Sequence, residues 1–138
     1  MSTKNSYQDD LRSIQHFAQQ DAFAQQLGLE LLEASAGRAR VQLTITEKHL
    51  NAVHTVHGGV IFTLADFAFA VAANAHGLTA VAINAHISYI KAIAEGTLIA
   101  EARETSLGAK LATYTVDIRN DQEEIIAIFQ GMAYRKRT

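Results

Sequence analysis

The sequence predicts an α+β fold in which an antiparallel sheet wraps one long central helix, with an extra helix at the N-terminus. Residues 60–75 form a run of helical length that is apolar on nearly every side, so this helix needs cover all round. Two strand-like runs precede it and four follow it. Short turns between consecutive strands favour an antiparallel meander, and a curved sheet of this kind would cover most of the helix.

Each element rests on its own pattern. Residues 8–26 predict an amphipathic helix with Ile14 and Phe17 on its apolar face, and Gly28 ends it. Residues 38–46 alternate apolar and polar side chains with period two, which predicts a strand with one wet face. The other predicted strands are 29–35, 80–92, 97–105, 110–119 and 124–135.

Length, charge and composition limit the classes of function that this chain can have. The chain of 138 residues has the size of one domain, which we divide into an N-terminal helical segment (1–27) and the sheet domain (28–138). A net charge of −2 does not suggest a nucleic-acid surface, and no cysteine is present for a disulfide or a thiolate metal site. The N-terminus lacks a signal-peptide core and the longest apolar run is too short for a bilayer, so we expect a cytoplasmic protein without a nucleic-acid or membrane partner.

Asp66 is the single formal charge of the predicted central helix, and no Lys, Arg or other acid lies between Lys48 and Lys91. Such an acid can point to solvent, cap or pair with something distant, or serve as a structural acceptor. Alternatively it is a catalytic base or nucleophile, because apolar surroundings without a cation destabilise a carboxylate and such groups cluster at functional sites.

The pair Gly58-Gly59 stands at the predicted start of this helix, directly after His57. The first N–H groups of a helix have no internal partner and carry partial positive charge, which suits a carbonyl oxygen that becomes an oxyanion. An ordinary glycine-rich turn is the alternative.

Asp66 and the glycines cannot serve the same carbonyl within one chain. Seven or eight helical residues separate them by roughly 11 Å, whereas a nucleophile and an oxyanion donor must meet within about 3 Å of one atom. Two antiparallel copies of the helix across a two-fold axis would bring Asp66 of one chain to Gly58 of the other. The spacing therefore predicts a homodimer with two equivalent sites.

Metal binding by histidines is an alternative, because five of the six histidines fall between residues 49 and 86. His49, His54 and His57 have a spacing that matches no established metal motif, so we predict no metal site. A role for His57 in orienting the loop or the substrate is favoured, and His76 and His86 are expected to be structural.

The pattern N-x5-HGG-x6-LAD, from Asn51 through His57-Gly58-Gly59 to Asp66, resembles the hotdog-fold acyl-CoA thioesterases, and most closely those of phenylacetate degradation. The resemblance covers roughly residues 28–135. It implies a sheet wrapped around one helix and dimers that often pair into homotetramers. It also implies hydrolysis of small aryl or arylacetyl-CoA thioesters, such as hydroxyphenylacetyl-CoA or hydroxybenzoyl-CoA, without a bound cofactor.

The resemblance also implies residue roles. Asp66 would act as nucleophile or general base across the dimer interface, and the Gly58 N–H would polarise the thioester carbonyl. Asn51 would position water or the carbonyl, and His57 would support that loop. Coenzyme A would lie in an interface groove. The expected substrate-binding residues are Gly59, Phe62, Asn84, Tyr89, Lys91, Gly108 and Lys110.

Two features depart from the family. Ala82 stands where some relatives carry a serine, with Asn84 nearby, and Ile90-Lys91-Ala92 stands where a proline typically follows that strand. Phe62, Phe67 and Phe69 could line an acyl pocket, but for at least two of the three plain core packing is favoured. The alternatives to a thioesterase are a hotdog dehydratase or hydratase and a non-catalytic acyl-CoA-binding module.

Overall fold

The computed structural model describes residues 12–136, and it has the predicted α+β architecture of one sheet wrapped around one long helix. Residues 8–11 of the predicted N-terminal helix and residues 137–138 lie outside the described part. The elements are α1 (12–19), α2 (Ala22–Leu27), β1 (Glu30–Ser35), β2 (Arg38–Thr44), α3 (Gly58–Asn74), β3 (Ala80–Tyr89), β4 (Thr97–Leu107), β5 (Leu111–Arg119) and β6 (Ile125–Arg135).

The six strands form one antiparallel sheet in the order β1-β2-β4-β5-β6-β3. The predicted meander is right for β4, β5 and β6 but wrong for β3, which pairs with β6 at the edge and not with β4. The place beside β4 is taken by β2, in a register that sets Val41 opposite Ala100. Because α3 lies between β2 and β3 in the chain, β3 reaches the far edge of the sheet after the chain has crossed the sheet along this helix.

The helix α3 fills the concave side of the sheet. Most of its side chains are buried, and Leu64, Ala68 and Val71 are completely inaccessible to solvent. The positions that are not buried recur every three or four residues and so form one stripe: Gly58, Gly59, Phe62, Thr63, Asp66, Ala70 and Asn74. The sheet and the N-terminal helices therefore leave uncovered the face of α3 that carries Asp66.

The predicted single N-terminal helix is wrong, because the chain breaks it in two at Asp21. The first helix closes with the N–H of Gln20 donating to the carbonyls of His16 and Phe17, at 3.2 Å each. Asp21 then takes extended backbone geometry and its Oδ1 accepts the N–H of Ala24 at 3.0 Å, which caps α2. Gly28 ends α2 in a left-handed conformation (φ 78°), as predicted.

The strand after α3 is shorter than predicted, ending at Tyr89 and not at residue 92. The N–H groups of Ile90 and Lys91 both donate to the carbonyl of Ile126, so the regular ladder stops there. The helix begins at Gly58, two residues earlier than the predicted apolar run. Over residues 12–136, no helix combines the length and the apolar character that crossing a membrane requires.

Candidate active site

Asp66 lies in the middle of α3, half-buried on the uncovered stripe. Within residues 12–136 its carboxylate has neither a hydrogen-bond partner nor an ion-pair partner. Burial raises the pKa of Asp66 above its ordinary value, and the nearby carboxylate of Asp21 raises this pKa further. The side chain is thus a poorly solvated acid whose neighbourhood disfavours its ionised form, which is the environment of a reactive carboxylate.

The start of α3 presents one N–H group for a ligand. His57 caps the helix, its Nδ1 accepting the N–H of Gly59 at 2.8 Å. A ring nitrogen that accepts a hydrogen bond carries no proton, so in this contact the ring proton of His57 is on Nε2. The N–H of Gly58 has no acceptor anywhere in the described chain, which leaves it available to an incoming carbonyl oxygen.

Tyr89 joins the end of β3 to this helix start. Its hydroxyl donates to the carbonyl oxygen of Gly58 at 2.9 Å. A Cβ atom added at Gly58 would lie 3.2 Å from both Cζ and the hydroxyl oxygen of Tyr89, so the ring covers the glycine closely. Tyr89 therefore holds Gly58 in place, and a side chain at this position would require the ring or the helix start to move by a few tenths of an ångström.

Asn51 organises the loop that leads into α3. Its Oδ1 accepts the N–H groups of Val53 and Thr55 at 3.0 and 3.1 Å, and its Nδ2 donates to the hydroxyl of Thr55 at 3.0 Å. The carboxamide is therefore engaged within residues 51–55. Positioning of water or a carbonyl by Asn51 stays a prediction, which would require part of this hydrogen bonding to be exchanged for substrate.

The predicted contacts for coenzyme A separate into two groups. Lys91 lies beside Tyr89 at the end of β3 and forms an ion pair with Glu124. Gly108 and Lys110 lie in the β4–β5 turn, where the N–H of Arg135 donates to the carbonyl of Lys110 at 2.7 Å. This turn lies across β6 from the start of β3, at a level eight residues from Tyr89, a span of about 26 Å along the strand.

Asn84 lies in the middle of β3, exposed, just after a bulge between Ala82 and Asn84. It is not part of either group. The structure therefore does not gather the predicted substrate residues at one point of the chain. Gly59 and Phe62 lie on α3, and Gly108 and Lys110 lie in the β4–β5 turn. Asn84 and Tyr89 lie on the edge strand β3, and Lys91 follows it.

The three phenylalanines of α3 divide as the sequence suggested. Phe67 and Phe69 belong to the core at 3% and 2% exposure. Phe62 is half-buried on the uncovered stripe and packs edge-on against Phe129, with ring centroids 5.5 Å apart. Of the three, Phe62 is the one placed to meet a ligand.

The histidines do not gather into a metal site, since no cluster of three or more His, Cys, Asp or Glu side chains occurs in the part of the chain the structure describes. His49 is buried at 4% exposure and structural: its Nδ1 accepts the N–H of Thr46 at 3.0 Å and its Nε2 lies 2.8 Å from the Leu27 carbonyl. His86, expected to be structural, is exposed on the edge strand β3.

The sequence did not indicate a polar cluster at the far end of α3. There Glu104 Oε2 lies 2.5 Å from His76 Nε2 and accepts the Tyr114 hydroxyl at 2.9 Å. Burial, followed by the contact with Glu104, raises the pKa of Tyr114. Tyr114 also packs against Phe69, at 5.4 Å between ring centroids, so the cluster anchors the C-terminal end of α3 to the sheet. The register that pairs Glu104 with Tyr114 creates it, and no sequence motif marks such a pairing.

Asp66 and Gly58 do not share a reaction centre within one chain. They are eight residues apart on one continuous helix, about 12 Å along its axis. Both lie on the uncovered stripe, so a second body packed against this stripe would contact both. One carbonyl group therefore cannot meet both Asp66 and the Gly58 N–H of the same chain.

Comparison with known proteins finds similarity to thioesterases and to proteins named as putative esterases. A family model described as the thioesterase superfamily matches residues 54–127. The chain is 45% identical over 116 residues to a protein from Archaeoglobus fulgidus named a putative esterase, covering 83% of this chain and 75% of that one. It is 38% identical over 116 residues to Escherichia coli acyl-coenzyme A thioesterase PaaI, covering 83% of each chain.

A solved structure agrees with these matches. The E. coli PaaI protein from the phenylacetic acid degradation operon superimposes with a TM-score of 0.89 at 34% identity, covering 93% of this chain and 94% of that one. The agreement extends over nearly the whole of both chains, so it includes the wrapped helix and much more than the family model spans.

Proposed function

Because this chain belongs to the thioesterase superfamily and is an acyl-CoA thioesterase of the hotdog fold, we propose that it hydrolyses small aryl or arylacetyl-CoA thioesters. Hydroxyphenylacetyl-CoA and hydroxybenzoyl-CoA represent the substrate class. The observation that carries the substrate class is the match over nearly the full length to the structure from the phenylacetic acid degradation operon. Phe62 lies half-buried on the uncovered stripe, four residues from Asp66. Its ring supports an aromatic acyl group, because aromatic rings pack favourably edge-on.

The proposed reaction uses the carboxylate of Asp66 and the N–H group of Gly58. Asp66 either attacks the thioester carbonyl, giving a mixed anhydride that water then hydrolyses, or removes a proton from a water molecule that attacks. In both routes the C–S bond breaks, the acyl group leaves as a carboxylic acid, and coenzyme A leaves as a thiol. The N–H of Gly58 stabilises the oxyanion, and no resident cofactor takes part.

The site is formed by two chains related by a two-fold axis. The uncovered stripe of α3 lies next to β3, a free edge strand with exposed apolar side chains at Val81 and Ile83. A free edge and an uncovered helix face in one place need a partner, and a second copy of the same surface satisfies both.

The two groups of coenzyme A contacts fit the same arrangement. With β3 antiparallel to the partner's β3, the end of the strand at Tyr89 in one chain lies near the start of the strand in the other. Gly108 and Lys110 of one chain then approach Gly58 and Tyr89 of its partner, and one groove collects both groups. Pairing of such dimers into a homotetramer completes the proposed assembly.

A panel of coenzyme A thioesters tests this function through the release of thiol. We expect wild-type protein to hydrolyse hydroxyphenylacetyl and hydroxybenzoyl thioesters with a higher kcat/KM than short-chain or long-chain aliphatic ones. A preference for aliphatic chains would contradict the aryl assignment alone. Thioester binding without release of any thiol, or hydration of an enoyl thioester in its place, would contradict the thioesterase assignment.

A further inference from the structure

The uncovered stripe of α3 carries one large apolar side chain, that of Phe62. The other members of the stripe are small or polar: Gly58, Gly59, Thr63, Asp66, Ala70 and Asn74. The ring of Phe62 packs edge-on against Phe129 of β6, with ring centroids 5.5 Å apart, and Phe129 is completely buried. The sheet therefore holds the Phe62 ring from behind, while the half-buried ring keeps part of its surface on the stripe.

Phe62 stands midway between Gly58 and Asp66 on one continuous helix. It is four residues from each, about 6 Å along the helix axis, and residues four apart share a helix face. A two-fold axis that sets Asp66 level with the partner's Gly58 also sets Gly58 level with the partner's Asp66. The axis therefore crosses the pair of helices at the level of residue 62, where Phe62 faces the partner's Phe62.

We propose that Phe62 and the partner's Phe62 meet at the two-fold axis and form a common inner wall of both acyl pockets, which limits how far an acyl group extends from the thioester carbonyl. The inference rests on the proposed function, because that function supplies the two-chain site. A second copy of this chain is the occupant of the stripe, since the separation of Asp66 and Gly58 leaves neither chain with a complete site of its own.

The residues beside Phe62 leave space for an acyl group on each side of the aromatic pair. At the level of Asp66 the facing helix contributes the partner's Gly58 and the partner's Gly59, which have no side chains. The distance between packed helices depends on the side chains at the contact, so two phenylalanine rings at the axis keep the helices apart. Glycines cannot fill the gap that results, and one pocket therefore remains on each side of the pair.

The surroundings of the helix start give the direction of the acyl group. The Tyr89 hydroxyl donates to the Gly58 carbonyl at 2.9 Å, and the N–H of Val56 donates to the Ile93 carbonyl at 2.8 Å. The segment after Tyr89, which carries a predicted coenzyme A contact, thus lies beyond the start of α3. Coenzyme A leaves the carbonyl on that side, so the acyl group points along the helix toward Phe62. The wall lies about 6 Å from the reacting level, within the range of ring-to-ring distances in aromatic pairs.

Thiol cross-linking tests the position of residue 62, because the chain has no cysteine of its own. A short bis-maleimide should join the two chains of Phe62→Cys into a covalent dimer on a denaturing gel. Thr63→Cys keeps the phenylalanine and should also link, since its two copies lie about 3 Å apart along the helix axis. Ala70→Cys is the matched control on the same stripe: its copies lie about 24 Å apart and should not link. Linking at Ala70 as strong as at residues 62 and 63, or linking at neither of those two, would overturn the proposal.

Substrate preference tests the wall. Phe62→Ala should raise kcat/KM for 4-phenylbutanoyl-CoA relative to phenylacetyl-CoA by about tenfold or more, because a fitted pocket discriminates by roughly 10-fold to 200-fold for each methylene. Phe67→Leu is the control, since it removes a ring from the buried side of the same helix and should leave this ratio unchanged. A ratio of two substrates is independent of the fraction of folded protein. An unchanged ratio in Phe62→Ala would overturn the wall.

The two experiments fail separately from the proposed function. If wild type releases no thiol from any thioester, the proposed function is wrong and the acyl wall falls with it, while cross-linking still decides whether residue 62 lies at a two-fold axis. If wild type is active and Phe62→Cys links as expected, but the ratio in Phe62→Ala does not change, then Phe62 belongs to the interface alone and its role in specificity is overturned.

Discussion

Asp66→Asn is expected to lower kcat/KM for the preferred thioester by about 100-fold or more, the general range for loss of a catalytic acid or base. Asparagine has nearly the same shape as aspartate but neither attacks a carbonyl nor accepts a proton from water. Because Asp66 has no hydrogen-bond or ion-pair partner within residues 12–136, the substitution breaks no described contact. Thiol release by wild type and variant, measured side by side, gives the comparison.

Stability distinguishes a chemical loss from an unfolded variant. Burial raises the pKa of Asp66 in the folded chain, so the folded state holds this proton more tightly than the unfolded state. The contribution of Asp66 to stability therefore falls as the pH rises from the unfolded pKa through the raised folded pKa. Asparagine carries no such cost, so at neutral pH the Tm of the variant should equal or exceed that of wild type.

The control for this experiment is Asp121→Asn, which removes one negative charge from the β5–β6 turn. Its Oδ2 accepts the N–H of Thr97 at 3.2 Å, a contact that asparagine can keep. We expect this control to retain wild-type activity. Full activity in a folded Asp66→Asn protein would show that Asp66 takes no part in the reaction.

Gly58→Val is expected to lower kcat by about 100-fold, comparable with the loss of one oxyanion donor. A side chain at this position meets the Tyr89 ring, which a Cβ atom alone already approaches to 3.2 Å. The two branches and the bulk of valine then press the ring and the helix start apart, and movement of the helix start turns the N–H of Gly58 away from the reacting oxygen. Steady-state kinetics on the preferred thioester separate the expected loss in kcat from changes in KM.

A graded series controls for non-specific damage. Gly58→Ala adds only the Cβ atom, so a displacement of a few tenths of an ångström suffices and the loss should be smaller than for valine. Tyr89→Phe removes the hydroxyl bond to the Gly58 carbonyl but keeps the ring, and should change activity less than either. A fully active Gly58→Val enzyme would exclude the helix start from the oxyanion site.

The central helix and its single charge could be predicted because both depend only on the sequence of one continuous segment. An apolar run of helical length with one acid identifies α3 and Asp66 without knowledge of any other element. The strands likewise follow from period-two alternation, as in 38–46. Strand order could not be predicted in the same way, because the pairing of β2 with β4 joins residues far apart in the chain and leaves no local signal.

The N-terminal break shows how a periodic pattern misleads. Ile14, Ala18 and Ala24 are all buried, so apolar spacing continues across the break and suggests one helix. The signal for the break is Asp21 itself, since an aspartate followed by helix-forming residues is a typical N-cap. The engagement of Asn51 within its own loop had a comparable signal, because Asn followed by a short polar stretch favours side-chain-to-backbone turns.

A hybrid dimer tests the two-chain site most directly. Asp66→Asn and Gly58→Val chains, each expected to be about 100-fold less active alone, would be co-expressed with different affinity tags, and the species carrying both tags would be purified. In that hybrid, one site combines the intact Gly58 of one chain with the intact Asp66 of the other, and the second site has neither. A site shared between chains therefore predicts about half of wild-type activity per dimer. A hybrid as inactive as its two parents would contradict the shared site and require both residues to act within one chain.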